Sequence, residues 1–335
     1  MSVYLRSLLV VIFTWPTLSC AAENYGENPA ALAIVDELVA EEGFERDALL
    51  QIFAQAEKQD SILEAIARPA EKTKPWFEYR KIFINDLREK QGREFFAEHR
   101  ATLARAEQET GVPAEIIVAI IGVETSYGRI TGRYRVLDAL TTLAFDYPRR
   151  SPFFTSELKH YLMLTRDQGL DPAQLTGSYA GAMGYGQFMP SSYRSYAVDF
   201  DGDGSADIWN NPVDAIGSVA NYFKRHGWRP GEAVVFPAQV KGDVSDDWFV
   251  QGRSGLKPER TVAEFAEAGV HATAAIDSQA LATAMKFELE DGHEYWLGLH
   301  NFYVITRYNH SAMYAMSVYQ LSQRLSQQAA IAESR

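Results

Sequence analysis

Apolar residues recur at helical spacing through most of residues 24–110. Residues 30–40 and 48–57 each carry one apolar face, and Ser61 followed by Glu64 reads as a capping box that opens a short helix ending before Pro69. Residues 81–109 continue as an amphipathic helix interrupted near Gly92. The simplest reading of this region is a helical layer that buries one face and supports the rest. The pattern then changes. From Val112 to Val123 the positions are apolar apart from Glu115, and Pro113 suits the first turn of a helix. A helix apolar all round is buried on most sides, and this one is too short to cross a membrane. It stops abruptly at Glu124-Thr125-Ser126-Tyr127-Gly128. Residues 135–225 alternate helical stretches with polar, glycine-rich loops. Over 232–300 the period shortens: residues 233–240 and 285–289 read as strands, and Asp291-Gly292 as a hairpin turn before a third strand over 293–299. Helical spacing returns from Ser311 to Leu325, and the last residues are expected to fray.

Composition narrows the function classes. The 335 residues carry 44 acidic and 32 basic side chains, a net charge of −12, which argues against nucleic acid as a partner because that binding needs Lys and Arg to neutralise phosphates. An acidic protein working on an anionic polymer needs a local cluster of cations, and Arg149-Arg150 is a candidate. At the N-terminus, Arg6 precedes an apolar run over 8–15 and small residues follow over 19–22, the layout of a secretory signal. It implies export from the cytoplasm. Cys20 is the only cysteine, so neither an intramolecular disulfide nor a cysteine-built zinc site can form. Its position suits lipoprotein processing, with an acyl anchor to the outer membrane, although Thr17-Leu18-Ser19 fits that pattern imperfectly. Cleavage after Ala21 or Ala22 releases a soluble protein instead, and both forms stay open.

Among residues that could do chemistry, Glu124 stands first. Partial burial at the end of an apolar helix disfavours the carboxylate, and the negative C-terminal end of a helix pushes the same way. Such a group keeps its proton near neutral pH and can donate it to a leaving oxygen. From helix position alone, a Glu that faces solvent or pairs with an Arg such as Arg129 is the commoner case. Gly181, Gly184 and Gly186 allow close approach of the backbone to a ligand. No strand precedes them, so a dinucleotide fingerprint is rejected. Residues 199–210 have the spacing of an EF-hand loop: Asp199, Asp201 and Asp203 at positions one, three and five, Gly204 at six, Ser205 at seven through its carbonyl, and Asp207 at nine. Asn210 stands at position twelve in place of the usual bidentate Glu, which opens the loop to sodium as well as calcium, or to an acidic turn without metal. The seven histidines show no His-Glu-x-x-His spacing. Ser156-x-x-Lys159 has the letters of a penicillin-binding motif without its companions, and reads as chance.

The stretch Gly122-Val123-Glu124-Thr125-Ser126-Tyr127-Gly128 resembles the catalytic motif of lytic transglycosylases, lysozyme-like enzymes that cleave peptidoglycan. Gly181-Ala182-Met183-Gly184-Tyr185-Gly186-Gln187-Phe188-Met189-Pro190-Ser191-Ser192-Tyr193 is similar to the second motif of that superfamily. Tyr147-Pro148-Arg149-Arg150, the aspartate loop and Asn301–Asn309 add to the likeness and point to the membrane-bound lytic transglycosylase B type, over roughly residues 30–325. The resemblance implies a mainly α fold. A leader over 1–22 is followed by a helical N-terminal domain (23–110) and a lysozyme-like core (111–231) bearing the EF-hand-like loop. A small β-rich insertion (232–300) and a return to the core (301–335) complete it. It implies cleavage of murein glycan strands without hydrolysis, by a monomer, with Glu124 as the single acid and base and no cofactor for the chemistry. A structural calcium or sodium ion would sit in the aspartate loop. Ser178, Gln187, Phe188, Tyr79, Tyr222, Tyr303, Tyr308 and Asn309 match family positions around the groove, and Arg149 and Arg150 would meet stem-peptide or lactyl carboxylates. Cell-wall synthesis enzymes are conceivable partners, but no residue argues for one. The rivals are a hydrolytic muramidase using Asp138 or Asp146 as a second carboxylate, a non-catalytic peptidoglycan-binding protein, and a calcium sensor.

Overall fold

The computed structural model describes residues 24–67 and 74–333, with side chains as far as residue 326. The leader and Cys20 fall outside the described residues; the end expected to fray after Leu325 is instead helical as far as Glu333. No helix of the described residues is long and apolar enough to cross a membrane.

Three helices open the chain: α1 (Pro29–Glu42), α2 (Arg46–Gln55) and α3 (Asp60–Ala67). Asn28 caps α1, its side chain accepting from the amides of Ala30 and Ala31, and Gly43 ends it in the left-handed conformation. Helix α3 begins at Asp60, so Ser61 lies inside it and the expected Ser61–Glu64 capping box is not formed. Next come α4 (Trp76–Phe83), α5 (Asp86–Glu98) and α6 (Arg100–Thr110). The expected break at Gly92 is corrected. Asn85 caps α5 by accepting from the Arg88 amide, the chain bends there and again at His99, and α5 runs straight through Gly92. The glycine has another purpose: a Cβ there would lie 2.4 Å from the Tyr127 hydroxyl.

Helix α7 (Ala114–Thr125) is the centre of the molecule, and all but Glu115 and Glu124 of its residues are buried. It is packed by α5, α6, α11 (Pro212–Arg225) and α14 (Ala312–Glu333). Side chains from Trp76, Ile117, Ile120, Phe223, Phe302 and Leu321 fill the core around it. A second core joins α1–α3 to α8 (Val136–Asp146) and α9 (Ser151–Asp167) through Ile34, Phe53, Leu140 and Tyr161. Residues 24–110 therefore do not form one layer: α1–α3 serve the second core, while α4–α6 serve the α7 core. Lys159 of the chance Ser-x-x-Lys pattern pairs with Glu37 across that second core.

Short strands β1 (Tyr134–Arg135) and β2 (Thr176–Gly177) pair antiparallel and bring the loop after α9 back beside the end of α7. Helix α10 (Pro190–Tyr196) follows the glycine-rich loop. The β-rich stretch is a five-stranded antiparallel sheet. Its strands are β3 (Val235–Val240), β4 (Arg260–Thr261), β5 (Val270–Ala272), β6 (Leu281–Glu288) and β7 (His293–Gly298), in the order β4-β6-β7-β3-β5. The expected hairpin is present: Gly292 takes φ +87° and Leu289 donates to its carbonyl at 3.0 Å. The periodicity did not indicate β4, β5 or the one-and-a-half-turn helix α12 (Val262–Glu267), which is opened by a capping box between Thr261 and Glu264. The sheet is fixed to the helices by Trp76, whose ring packs on Phe287 at 4.8 Å and whose indole N–H donates to Glu294. Helix α13 (His300–Thr306) leads back, and the Ser311 hydroxyl caps α14 by accepting from the Tyr314 amide at 3.2 Å.

Candidate active site

Glu124 occupies the last turn of α7, partly exposed while its neighbours in sequence are buried. Three residues in succession then take positive φ: Ser126 (52°), Tyr127 (62°) and Gly128 (80°). Only the third is a glycine, so the turn is costly and must be held by its surroundings. Ser126 and Tyr127 donate their amides to Gly122 and Ile121, satisfying the carbonyls at the end of the helix. Thr125 ties the turn to the glycine-rich loop, its hydroxyl donating to the Tyr185 carbonyl at 2.9 Å and accepting from the Gly128 amide at 2.9 Å. A Cβ on Gly128 would fall 2.1 Å from the Tyr185 ring, so the two motifs can approach only because that residue is a glycine.

The carboxylate itself is met by Tyr314 of α14, whose hydroxyl donates to Glu124 Oε1. Sequence reasoning missed this residue. Burial raises the Tyr314 phenol well above its ordinary pKa, and the Glu124 charge, Tyr308 and Tyr79 raise it further. Tyr308 is likewise pushed up, by burial first and by Glu124 second. Both phenols therefore keep their protons and act as donors throughout the working pH range. Tyr308 donates to the Gly186 carbonyl at 2.6 Å, and a Cβ on Gly186 would sit 2.8 Å from that hydroxyl. Replacing Tyr314 by Phe removes one hydrogen bond to a charged group, worth about 1.5–3 kcal/mol. Turnover is expected to fall about 10- to 100-fold with little change in KM. Steady-state kinetics on a soluble glycan fragment would check this, and unchanged kinetics would show that the contact does not orient Glu124.

The other site residues divide into two groups. Tyr79, Phe188, Tyr222 and Tyr308 gather with Tyr314 as a wall of rings beside Glu124. Phe188 stacks within 6.0 Å of both Tyr222 and Tyr308, and Tyr79 acts electrostatically on Tyr314. Tyr79 and Phe188 are 3% exposed and Tyr222 7%, so these rings are packed in rather than presented as an open platform. The Tyr222 hydroxyl donates to the Arg307 carbonyl at 2.6 Å, and burial keeps it protonated. Gln187, in the left-handed region at φ 51°, donates its amide nitrogen to the carbonyls of Thr131 and Gly184, both at 3.0 Å. Two carbonyl partners engage the amide nitrogen and leave the side-chain oxygen as the acceptor.

The second group comprises Ser178, Tyr303, Asn309, Arg149 and Arg150. Ser178 holds its own loop, its hydroxyl accepting from the amides of Ala180 and Ala182. Tyr303 and Asn309 are partly exposed on either side of Arg307, whose guanidinium lies 5.9 Å from the Tyr303 ring. Arg149 and Arg150 are exposed on the turn before α9, Arg150 over the rings of Phe153 (4.2 Å) and Phe154 (5.1 Å). The two carboxylates that a hydrolytic reading would need are engaged elsewhere. Asp138 is buried against Arg135 at 2.7 Å and accepts from the Glu57 amide. Asp146 accepts from the Tyr25 hydroxyl and pairs with Lys58.

In the aspartate loop, Asp199, Asp201 and Asp203 each bring one oxygen within 4.8 Å of the others, which suits a hard cation. Asp199 accepts from the amides of Gly202, Asp203 and Gly204, and the Gly204 bond first among these lowers its pKa. Ser205 is exposed, with its amide donating to Asp203. Asn210 turns its amide nitrogen to Asp207 at 3.1 Å, so its contribution at position twelve would be a single neutral oxygen. Asp214 of α11, another residue the sequence reading missed, is wholly buried and fixes the loop by accepting from the amides of Phe200 and Asp207. The loop connects to the active site through the Tyr185 amide, which donates to Ile208 at 3.0 Å.

Comparison with known proteins agrees with this arrangement. The model of the transglycosylase SLT domain matches residues 27–323. Membrane-bound lytic murein transglycosylase B of Escherichia coli is 45% identical over 309 residues, covering 90% of this chain and 83% of that protein. The X-ray structure of catenated lytic transglycosylase SltB1 of Pseudomonas aeruginosa superposes with a TM-score of 0.87 at 52% identity, over 91% of this chain and 99% of that one. The structure of Escherichia coli lytic transglycosylase SLT35 in complex with calcium gives 0.82 at 43% identity, over 94% and 99%. A match spanning nearly the whole chain, with the helix-end glutamate and glycine-rich loop brought together, leaves one conclusion: the chain belongs to the transglycosylase SLT domain family.

Proposed function

We propose that the chain is a lytic transglycosylase of peptidoglycan in which Glu124 serves in turn as acid and base. The observation that carries this reading is the environment of one carboxylate. Glu124 ends a buried helix, receives a hydrogen bond from the protonated Tyr314 on Oε1, and is walled by aromatic rings. The relatives' names supply the polymer, murein.

Tyr314 orients the carboxyl group through Oε1, and on this reading that group holds the catalytic proton. Glu124 delivers it to the oxygen linking N-acetylmuramic acid to N-acetylglucosamine, and the C1–O bond breaks. The positive charge developing at C1 is met by the sugar's own 2-acetamido oxygen. With Asp138 and Asp146 held by Arg135 and by Tyr25 and Lys58, neither is offered to activate water. Glu124, now a base, takes the proton from the muramic C6 hydroxyl. That oxygen closes on C1 and gives a 1,6-anhydro end, with water neither consumed nor released. The acceptor oxygen of Gln187 suits an acetamido N–H, and Ser178, Tyr303, Asn309, Arg149 and Arg150 border the groove on this reading. Its test is a suspension of sacculi, which should clear without gaining reducing sugar. A rise in reducing ends matching the clearing would mean hydrolysis.

The aspartate loop is read as a structural calcium site, supported by the three converging carboxylates and by the calcium complex of a relative. Asn210 leaves sodium as the weaker occupant. Calcium added to chelator-treated protein is expected to raise Tm, since a ligand at about 100 times its Kd stabilises by about 2.7 kcal/mol. Replacing Asp201 by Asn should abolish that rise. A Tm indifferent to calcium in the parent chain would contradict the assignment. A periplasmic monomer, either free or anchored through Cys20, belongs to the same reading.

A further inference from the structure

Helix α5 carries Arg88, Gly92 and Phe95 at helical spacing on one face. All three meet the segment that bears Glu124. The Arg88 guanidinium donates to the Gly122 carbonyl in the last turn of α7, two residues before Glu124. That carbonyl also accepts from the Ser126 amide at 3.0 Å, so it is the junction between the helix and its left-handed turn. Gly92 and Gly122 make room for the Tyr127 ring, where a Cβ would fall 2.4 Å and 2.6 Å from Tyr127 atoms, and Phe95 packs on the same ring at 5.7 Å.

We propose that Arg88 is a positioning residue for Glu124: its guanidinium holds the carbonyl end of α7 and places a fixed positive charge beside the turn that carries the catalytic carboxylate. The carbonyl end of a helix is negative, which favours protonated Glu124, and a cation on Gly122 opposes that bias. Glu124 must release its proton as well as take one, so the opposition matters in both halves of the reaction. Arg88 is half-buried. Burial lowers its pKa, yet a guanidinium stays charged at working pH, and low exposure spares it from screening by salt. Arg129 is the nearby alternative. It donates to the Ser126 carbonyl at 3.2 Å, but its side chain is 47% exposed and also pairs with Glu94.

Other charged and titratable groups also pack around α7. Tyr314 of α14, Tyr308 after α13 and Tyr127 keep their protons, and Tyr79 of α4 acts on Tyr314. Tyr222 of α11 acts on Tyr308. Beside Arg88 on α5, Glu89 is paired with Arg324 of α14 at 2.7 Å, and Arg93 acts on Tyr127. Glu107 of α6 faces Glu115 and the Ala114 amide at the opposite end of α7.

The inference rests on Glu124 being the acid, and two substitutions test it through the pH dependence of kcat. Arg88→Gln keeps a donor for Gly122 and removes the charge; Arg88→Lys keeps the charge and loses the fork. With Gln the basic limb should move up by about half to one pH unit, as expected for losing one nearby charge at a protein-like dielectric. Maximal kcat should fall about tenfold and KM stay within about twofold. With Lys the limb should stay within about 0.2 unit of the parent. An unmoved limb in folded Arg88→Gln, or an equal shift in Arg88→Lys, would mean that Arg88 only packs, and the proposal would fail. Failure of the Glu124 reading is seen separately, as activity surviving in Glu124→Gln.

Discussion

Replacing Glu124 by Gln is expected to lower the release of muropeptides from sacculi by about 10³- to 10⁴-fold while leaving binding to sacculi intact. General acid–base catalysis by a placed side chain is worth about 10²- to 10⁴-fold, and here a single group would serve both steps, which puts the loss at the upper end. The substitution is nearly isosteric. Tyr314 can still donate to the amide oxygen, and the buried length of α7 is untouched, so the fold should persist. Muropeptide release and a pelleting assay on the same preparation separate the outcomes. Activity within tenfold of the parent would mean that another group delivers the proton. Loss of binding together with activity would mean that Glu124 grips substrate rather than transforming it. A protein whose role is only to bind peptidoglycan predicts no release from the parent chain either.

Gly184→Ala is expected to cost about 3 kcal/mol or more, because two penalties add. Gly184 sits at φ +67°, where a side chain costs about 1–2 kcal/mol. The new Cβ would also lie 2.4 Å from the Ile208 carbonyl oxygen, which is backbone and cannot rotate away. That oxygen accepts from the Tyr185 amide, so its displacement breaks the link between the glycine-rich loop and the aspartate loop. Tm should fall by about 5–10 °C, and the Thr125–Tyr185 bond beside Glu124 should loosen. Gly43→Ala is the control. Gly43 has φ +68° with nothing within 4 Å of its Cβ position, so only the conformational penalty of about 1 kcal/mol applies. Equal losses in the two variants would show that the contact with Ile208 carries no weight.

What could be read from the chain alone follows the range of the interactions involved. The unbroken apolar run into Glu124 announced a buried helix because burial on all sides removes the polar face that other helices keep. The hairpin at Gly292 and the aspartate loop were legible because their chemistry is complete within a dozen residues. Helix ends were read less well. Gly92 signalled a break by its low helix propensity, yet it is there to admit the Tyr127 ring, a contact made through tertiary packing. Strands β4 and β5 have only two and three residues, too few to show alternation. Tyr314 escaped notice because its partner is 190 residues away and a tyrosine in an amphipathic helix looks like core. Asp214 looked like an ordinary acid in the first turn of a helix, although it is the buried acceptor that holds the calcium-type loop. The division of α1–α6 between two cores has no local signature at all, since each helix shows an apolar face without naming the surface it covers.

The central claim is that one carboxylate, with no water-activating partner, opens the glycan. The most direct measurement is the mass of the muropeptides that the purified chain releases from sacculi. Fragments ending in 1,6-anhydro-muramic acid, lighter by one water than the corresponding reducing ends, are the predicted result. Reducing ends throughout would contradict the account, because they require a second group that delivers water to C1.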